Sequence, residues 1–446
     1  FKYLVDEFAD LKIMRYQVPG WDELSLQQKK YVYHLAEAAK HGRDIIWMQN
    51  CKYNLDIRRV VENILENYTG DRTCQEWAQF EEYAKRLFFS NGIHHHYAED
   101  KFFPECPQEY FQSLMTATGD DAKCEDILPV IYDPAIFPAR KDMHADDIIA
   151  ASAVNFYENV TRAEVEALYA AMADPEDKTP VSYGLNSRVV KGADGIVREE
   201  VYKVGGLYGK ALKKICKELK KAARYAENET QKDYIADLIA YYRTGDLKLW
   251  DKYNIQWVND TLGTVDFVNG FVEDYNDPLG RKATFESLVN FKDAEASRRT
   301  ELISDNAQWF EDNSPVDPRF KKSVVKGVTA NVVCAAMLGG EEYPSTAIGI
   351  NLPNADWIRE QYGSKSITIS NITAAYSKAS KGNGFRQEYI DDEEMLTLID
   401  KYGHLTDDLH TDLHECLGHG SGRLLPGVAA DALKSYASAI EEARAD

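Results

Sequence analysis

Two imidazoles, a carboxylate between them and further carboxylates downstream are the side chains whose types and spacing could do chemistry here. They lie in Leu413-His414-Glu415-Cys416-Leu417-Gly418-His419-Gly420-Ser421-Gly422 and in Glu441-Glu442-Ala443-Arg444-Ala445-Asp446. In the pattern H-E-x-x-H, two histidines one helical turn apart bind zinc and the glutamate serves as general base. Here one more residue intervenes. On a regular helix, positions i and i+5 diverge by about 140°, too far for one ion. A single-turn π-bulge would absorb the extra residue, and Gly418, without a Cβ, can take the local distortion. His414 and His419 then supply two nitrogens, a third ligand comes from elsewhere, and an open fourth position holds water. Residues 429–446 form a candidate helix with Leu433, Ala437 and Ile440 along one apolar stripe. Glu442 and Asp446 stand one turn apart on it, so one can bind metal while the other orients a ligand histidine.

The elements that must position these groups are mostly helical. Ser25 and Gln28 make a capping box ahead of a helix with Val32, Leu35 and Ala39 on one face. Further helices are predicted over 57–68, 74–89, 161–172, 207–226 and 230–243, with a surface break at 173–177. Residues 181–204 turn β-like. The run Gly205 to Lys210 is no phosphate loop, because Val204 and Ala211 stand where that motif needs glycine and Ser/Thr. His94, His95 and His96 cannot all face one metal from a regular element, so a solvated or substrate-lining loop is expected. In Gly270 to Gly280, strand alternation would put Glu273 and Tyr275 on one face, before a turn at Asp277-Pro278-Leu279-Gly280. On residues alone this is equally an edge strand with a polar face. Asn351 and Asn354 offer both donors and acceptors to an extended peptide, or serve only a turn before a helix at Asp356. Residues 366–372 alternate strictly and read as a strand that could offer its edge to a peptide.

The 446 residues allow two or three domains and a large core. Hydrophobic content of 44% and charged content of 28% are those of a globular chain. A formal net charge of −21 argues against phosphate-backbone binding, so no nucleic-acid partner is expected. Seven scattered cysteines without a C-x-x-C pair predict reduced thiols. No apolar run is long enough to span a membrane.

H-E-C-L-G-H-G-S-G followed by E-E-A-R-A-D resembles the two signature motifs of dipeptidyl peptidase III, a zinc exopeptidase family with an H-E-x-x-G-H helix. By that resemblance His414, His419 and Glu442 are the ligands of one zinc ion, Glu415 is the base, and Glu441 and Asp446 are supporting acids. Residues 270–280 resemble the family's G-F-x-E-x-Y-x-D-P-x-G segment, which implies that Glu273 binds the substrate's amino terminus and Tyr275 stabilises the tetrahedral intermediate. Gly349 to Asn354 is similar to G-I-N-x-P-N, whose asparagines, here Asn351 and Asn354, hold the substrate backbone. Ser90-Asn91-Gly92 with Asp100 to Pro104 also matches, which places the histidine loop near the cleft. Two departures stand out. Only 22 residues separate His419 from Glu442, and Cys416 replaces the usual leucine.

The resemblance implies an α+β, predominantly helical fold of two lobes around a wide cleft. The lower lobe, 1–294 and 335–384, would hold a small five-stranded β-barrel. The upper, helical zinc lobe would comprise 295–334 and 385–446 and be incomplete, since the family continues beyond the second motif and keeps a catalytic histidine there. A bacterial member lacking the C-terminal part is therefore expected, with that part as a partner. The implied activity is removal of dipeptides from the free N-terminus of oligopeptides by metal-activated water. The alternatives are a zinc endopeptidase, another aminopeptidase, or a non-catalytic peptide-binding protein with a structural zinc. The expected compartment is the cytoplasm, or the periplasm or exterior if a leader was removed before Phe1.

Overall fold

The computed structural model describes residues 1–325, 330–418, 421–423, 425 and 436–446, without the side chains of Ala330, Glu415, Ala437 and Ser438. Helices predominate around one five-stranded sheet, an α+β fold. The first long helix, α1 (Leu26–His41), starts where predicted: Ser25 Oγ accepts the Gln28 N–H and Gln28 returns the bond to Ser25 N. Its buried face of Tyr31, Val32, Leu35 and Ala38 packs on the sheet and on α2 (Gly209–Ala222). Two further helices, α3 (Glu229–Thr244) and α4 (Leu247–Asn259), add Tyr234, Tyr242, Trp250 and Trp257 to the same core. Such aromatic burial is the main favourable term here. The helices at 43–50, 54–67, 75–89, 108–117 and 124–132 enclose a second core around Trp47, Phe80 and Phe111. Residues 162–172 are helical behind a Thr161–Glu164 capping box, as the spacing predicted.

The strands β1 (Val265–Phe271), β2 (Phe285–Lys292), β3 (Ala330–Gly340), β4 (Gly349–Leu352) and β5 (Lys365–Ile369) pair in the order β1-β2-β3-β5-β4. All pairs are antiparallel except β3 with β5. The expected barrel is an open sheet: among the described residues β1 and β4, the two edges, share no ladder. The sheet nevertheless curls until side chains from its β5–β4 end reach those of β1 and the segment after it. Lys365 Nζ on β5 donates to Asp266 Oδ2 on β1 at 2.9 Å, and Asn354 Nδ2, just past β4, donates to Glu273 Oε2 at 2.8 Å. Helix α4 closes over this seam, Trp257 Nε1 donating to Asp266 Oδ1 at 2.8 Å.

Three other expectations change. The strand predicted over 366–372 stops at Ile369, because Ser370 begins a helix to Ala379. That strand lies between β3 and β4, both of its ladders are taken, and it has no edge for a peptide. His94 is buried at 2% exposure with Nε2 on the Phe137 carbonyl at 2.9 Å, so this loop is not solvated there. Burial pulls the His94 imidazole down to about 4. None of the seven cysteines is in a disulfide, and six of them are buried. No helix among the described residues is long and apolar enough to cross a membrane.

Candidate functional site

The helix that carries the first histidine is positioned from both ends. Four helices converge there: α5 (Ala294–Asp305), α6 (Ala307–Asn313), α7 (Glu393–Leu413) and α8 (Ala437–Ala445). Asp392 caps α7 by accepting the Glu394 N–H, and Glu393 and Glu394 favour its positive end. Arg299 of α5 pairs with the buried Asp412 and with Asp408, fixing the other end. The chain then makes one π turn over His414–Gly418, the solution that the extra residue demanded. Gly418 is required for packing as well as for distortion: a Cβ there would collide with the backbone of Ala445, so α8 crosses in direct backbone contact.

That crossing delivers two carboxylates to one imidazole. Asp446 Oδ1 lies 2.8 Å from His414 Nδ1 and Glu442 Oε2 lies 3.2 Å from Nε2. With Nδ1–H donating to Asp446, the Nε2 lone pair faces Glu442. Two donors about 2.1 Å from a zinc ion at a tetrahedral angle stand about 3.4 Å apart. The His414–Glu442 pair therefore fits the spacing of two zinc ligands, and Asp446 fits the role of orienting acid. Hydrogen bonds from His414 and then His410 hold the Asp446 carboxyl below the usual range. His410, whose Nε2 is 3.0 Å from the same oxygen, was missed from the sequence, although His410 and His414 are spaced i, i+4. Among the described residues no three His, Cys, Asp or Glu side chains are arranged to hold one metal ion. His419, the expected second imidazole, lies outside those residues, as do the Glu415 side chain and 429–435 of the expected last helix.

Glu441 accepts from Arg444 Nε at 2.8 Å, and Arg444 Nη1 reaches Ser421 Oγ at 3.1 Å. Buried Glu311 of α6 accepts the Gly422 N–H at 3.1 Å. Ser421 and Gly422 are thus tied to α8 and α6 by charged groups that the motif reading did not pair.

The peptide-binding candidates form a second group. Glu273 and Tyr275 were expected on a strand face, yet they lie in the β1–β2 connection. Val272 N–H bonds Thr284 O, and Thr284 N–H bonds Glu273 O, after which the turn at Asp277–Gly280 takes over. They still influence each other: Glu273 accepts from Asn354 Nδ2 at 2.8 Å, and the Tyr275 phenol acts on the Glu273 carboxyl electrostatically. Burial raises the Glu273 carboxyl, with Tyr275 and Asn354 opposing it. Burial, reinforced by the Glu273 charge, pushes the Tyr275 phenol up to about 12, so it stays a proton donor at neutral pH. Beneath them the Glu273 N–H donates to Glu286 Oε1 at 3.0 Å. Glu286 is buried, and burial together with Glu342 and Glu273 drives its carboxyl far above the ordinary range. Asn351 is not brought into this group. Its side chain is exposed, and its backbone carbonyl accepts from Arg359 at 2.8 Å.

A model described as peptidase family M49 matches residues 161–445. The chain belongs to peptidase family M49. Dipeptidyl peptidase 3 of Homo sapiens is 24% identical over 452 residues, covering 90% of this chain and 59% of that protein. Dipeptidyl peptidase 3 of Dictyostelium discoideum is likewise 24% identical, covering 90% of this chain and 60% of its own length. This M49 chain thus spans about three fifths of the length of those relatives. The structure of DPP III from Caldithrix abyssi superposes with a TM-score of 0.69 at 23% identity, over 96% of this chain and 70% of that one. The two-lobed M49 fold is shared.

Proposed function

We propose that this M49 chain carries a zinc-dependent dipeptidyl peptidase that removes dipeptides from the free N-terminus of oligopeptides. The observation that carries the reading is the 3.2 Å approach of Glu442 to His414 Nε2 with Asp446 behind Nδ1, a donor set suited to zinc. His414, His419 and Glu442 would hold the ion, which when bound would polarise the scissile carbonyl and lower the pKa of a nearby water. Glu415 takes the proton of the attacking water and delivers it to the leaving nitrogen. Tyr275, kept protonated, donates its O–H to the developing oxyanion. The Glu273 carboxylate receives the substrate's ammonium group, with Asn354 fixing that carboxylate and Asn351 offered to the peptide backbone. An amine held at a fixed distance from the cut sets the product length at two residues.

The proposed division places the peptide clamp in the lobe of 1–294 and 335–384 and the metal in that of 295–334 and 385–446. Seven cysteines outside any disulfide support a reducing compartment such as the cytoplasm. The test is chelation and zinc reconstitution with a dipeptidyl-arylamide bearing a free or an acetylated amine. Zinc-dependent release from the free-amine substrate alone is expected. Equal cleavage of both would point to an endopeptidase, and zinc uptake without turnover to a peptide-binding protein.

A further inference from the structure

Helix α2 carries one face of a single chemical kind. Its six lysines, Lys210, Lys213, Lys214, Lys217, Lys220 and Lys221, recur three and four residues apart. At about 100° per residue they fall within one arc of about 120°, and no other residue of the helix projects into that arc. The opposite side is apolar, with Leu212, Ile215 and Leu219 buried in the core against α1 and α3. Lys210, Lys213, Lys214, Lys217 and Lys220 are exposed. Of the six, only Lys221 has an acid partner among the described residues, Glu218 at 2.7 Å. Glu218, the one acid of α2, is buried and also holds His34 Nδ1 at 3.1 Å. Six lysines against that glutamate give α2 a charge of +5 in a chain whose total is −21, so the rest carries −26.

Lysines one turn apart repel, so this face weakens its own helix unless an anion covers it. The charge is felt beyond α2: burial and then Lys214 lower the His41 imidazole at the end of α1. None of the six lysines lines the cleft cavity that holds Glu273 and Tyr275, so the candidate site does not account for them.

Geometry and charge select among anionic partners. A helix that lies on a lipid surface buries its apolar face there, and the apolar face of α2 is already buried in protein. A bilayer or a nucleic acid would also press an extended negative surface against a body that carries −26 outside this helix. A single acidic helix adds no such surface beyond the row. Its carboxylates, spaced three and four residues apart, repeat at the same 5.4 Å pitch as the lysines. The two rows can therefore pair along the roughly 17 Å from Lys210 to Lys221.

We infer that the lysine face of α2 docks an acidic amphipathic helix of a partner protein, with carboxylates one turn apart along a single stripe. This surface lies outside every sequence motif and depends on neither the metal nor the peptide clamp.

The test is fluorescence anisotropy with three labelled, alanine-rich peptides of about 18 residues, long enough to span the row. One carries glutamates along one stripe, a second has the same composition with the glutamates spread round the helix, and a third has glutamine for glutamate. The striped peptide should bind about tenfold or more tightly than either of the others and lose affinity as salt rises. In the triple variant Lys213→Gln, Lys217→Gln, Lys220→Gln, affinity for it should fall about tenfold or more. That variant's turnover of a dipeptidyl-arylamide should match the wild type, and its urea midpoint should not fall, because like charges have been removed. Equal binding of striped and spread peptides, or equal binding of the striped peptide to wild type and variant, overturns the docking surface. So does displacement of the striped peptide by phosphatidylserine vesicles, or by an RNA duplex, at a lower concentration of anionic charge than the unlabelled striped peptide needs; the face would then belong to a membrane or a nucleic acid.

Discussion

Adding one methyl group at Gly418 isolates the contact on which the proposed metal site depends. In Gly418→Ala the new Cβ would stand 2.8 Å from both Cα and C of Ala445, where carbon–carbon contacts are ordinarily about 3.5–4.0 Å. Backbone atoms cannot rotate away, so α8 must withdraw by roughly 1 Å, at an overpacking cost of about 1–3 kcal/mol. The same withdrawal would stretch the His414–Glu442 spacing from 3.2 Å beyond the roughly 3.4 Å that two zinc ligands require. Zinc affinity should fall about 10- to 100-fold, the range seen when ligand support is lost. Urea unfolding of the metal-free protein and competition with a chromophoric chelator read the two effects separately. Gly403→Ala on α7 is the control. Its Cβ would meet only the Ile399 side chain, at 3.3 Å, and helix propensity favours alanine by about 1 kcal/mol. If Gly418→Ala matched the wild type in both urea midpoint and zinc dissociation constant, the backbone contact would not position Glu442 and the reasoning would fail.

Asp446→Asn should weaken zinc binding about tenfold or more, because a carboxamide cannot hold His414 and His410 as an anion does; chelator competition giving wild-type affinity would remove Asp446 from that role. Tyr275→Phe should lower kcat by about 10²-fold or more, with KM moving little, and an unchanged kcat would exclude the phenol from the transition state. For Asp251, buried on α4, the sign follows from proton affinity. Its folded pKa of about 7 exceeds the ordinary carboxylate value of 3.8, so the folded state binds the proton more tightly, and stability is lost as pH rises through that window. About three units correspond to an upper bound of about 4 kcal/mol. Asp251→Leu should therefore be more stable than the wild type at pH 8, and the advantage should shrink towards pH 4. A pH-independent difference in urea midpoints would contradict the raised carboxyl.

The π turn of the candidate metal site was legible because its geometry is local. Five-residue spacing on a 3.6-residue helix leaves few solutions, and Gly418 marked where the backbone could give. Capping boxes at Ser25 and Thr161 located helix starts for the same reason. The sheet was less legible. Alternation over 270–277 and 366–372 continues past Phe271 and Ile369, where the strands end, since periodicity cannot see a competing turn or helix. Whether β5 is an edge or an interior strand depends on non-local pairing that no window reveals. Burial of His94 depends likewise on Phe137, far along the chain. Asp251 carried a signal that went unread: on the helix stripe of Trp250, Tyr253, Asn254 and Trp257, an acid facing inward needs an explanation.

A sheet that stops short of closing leaves a slot as well as an edge. Had β1 and β4 been laced by backbone amides, the ladder would have filled the gap now spanned by Glu273, Asn354, Asp266 and Lys365. A recess walled by Trp250, Tyr253, Trp257 and Leu352 lies under α4, because those strands are stitched by polar side-chain tips with a helix laid across the join. Side-chain stitches can be rewritten one residue at a time without unravelling a strand. In this architecture the lining of the recess can therefore change while the scaffold around it stays fixed.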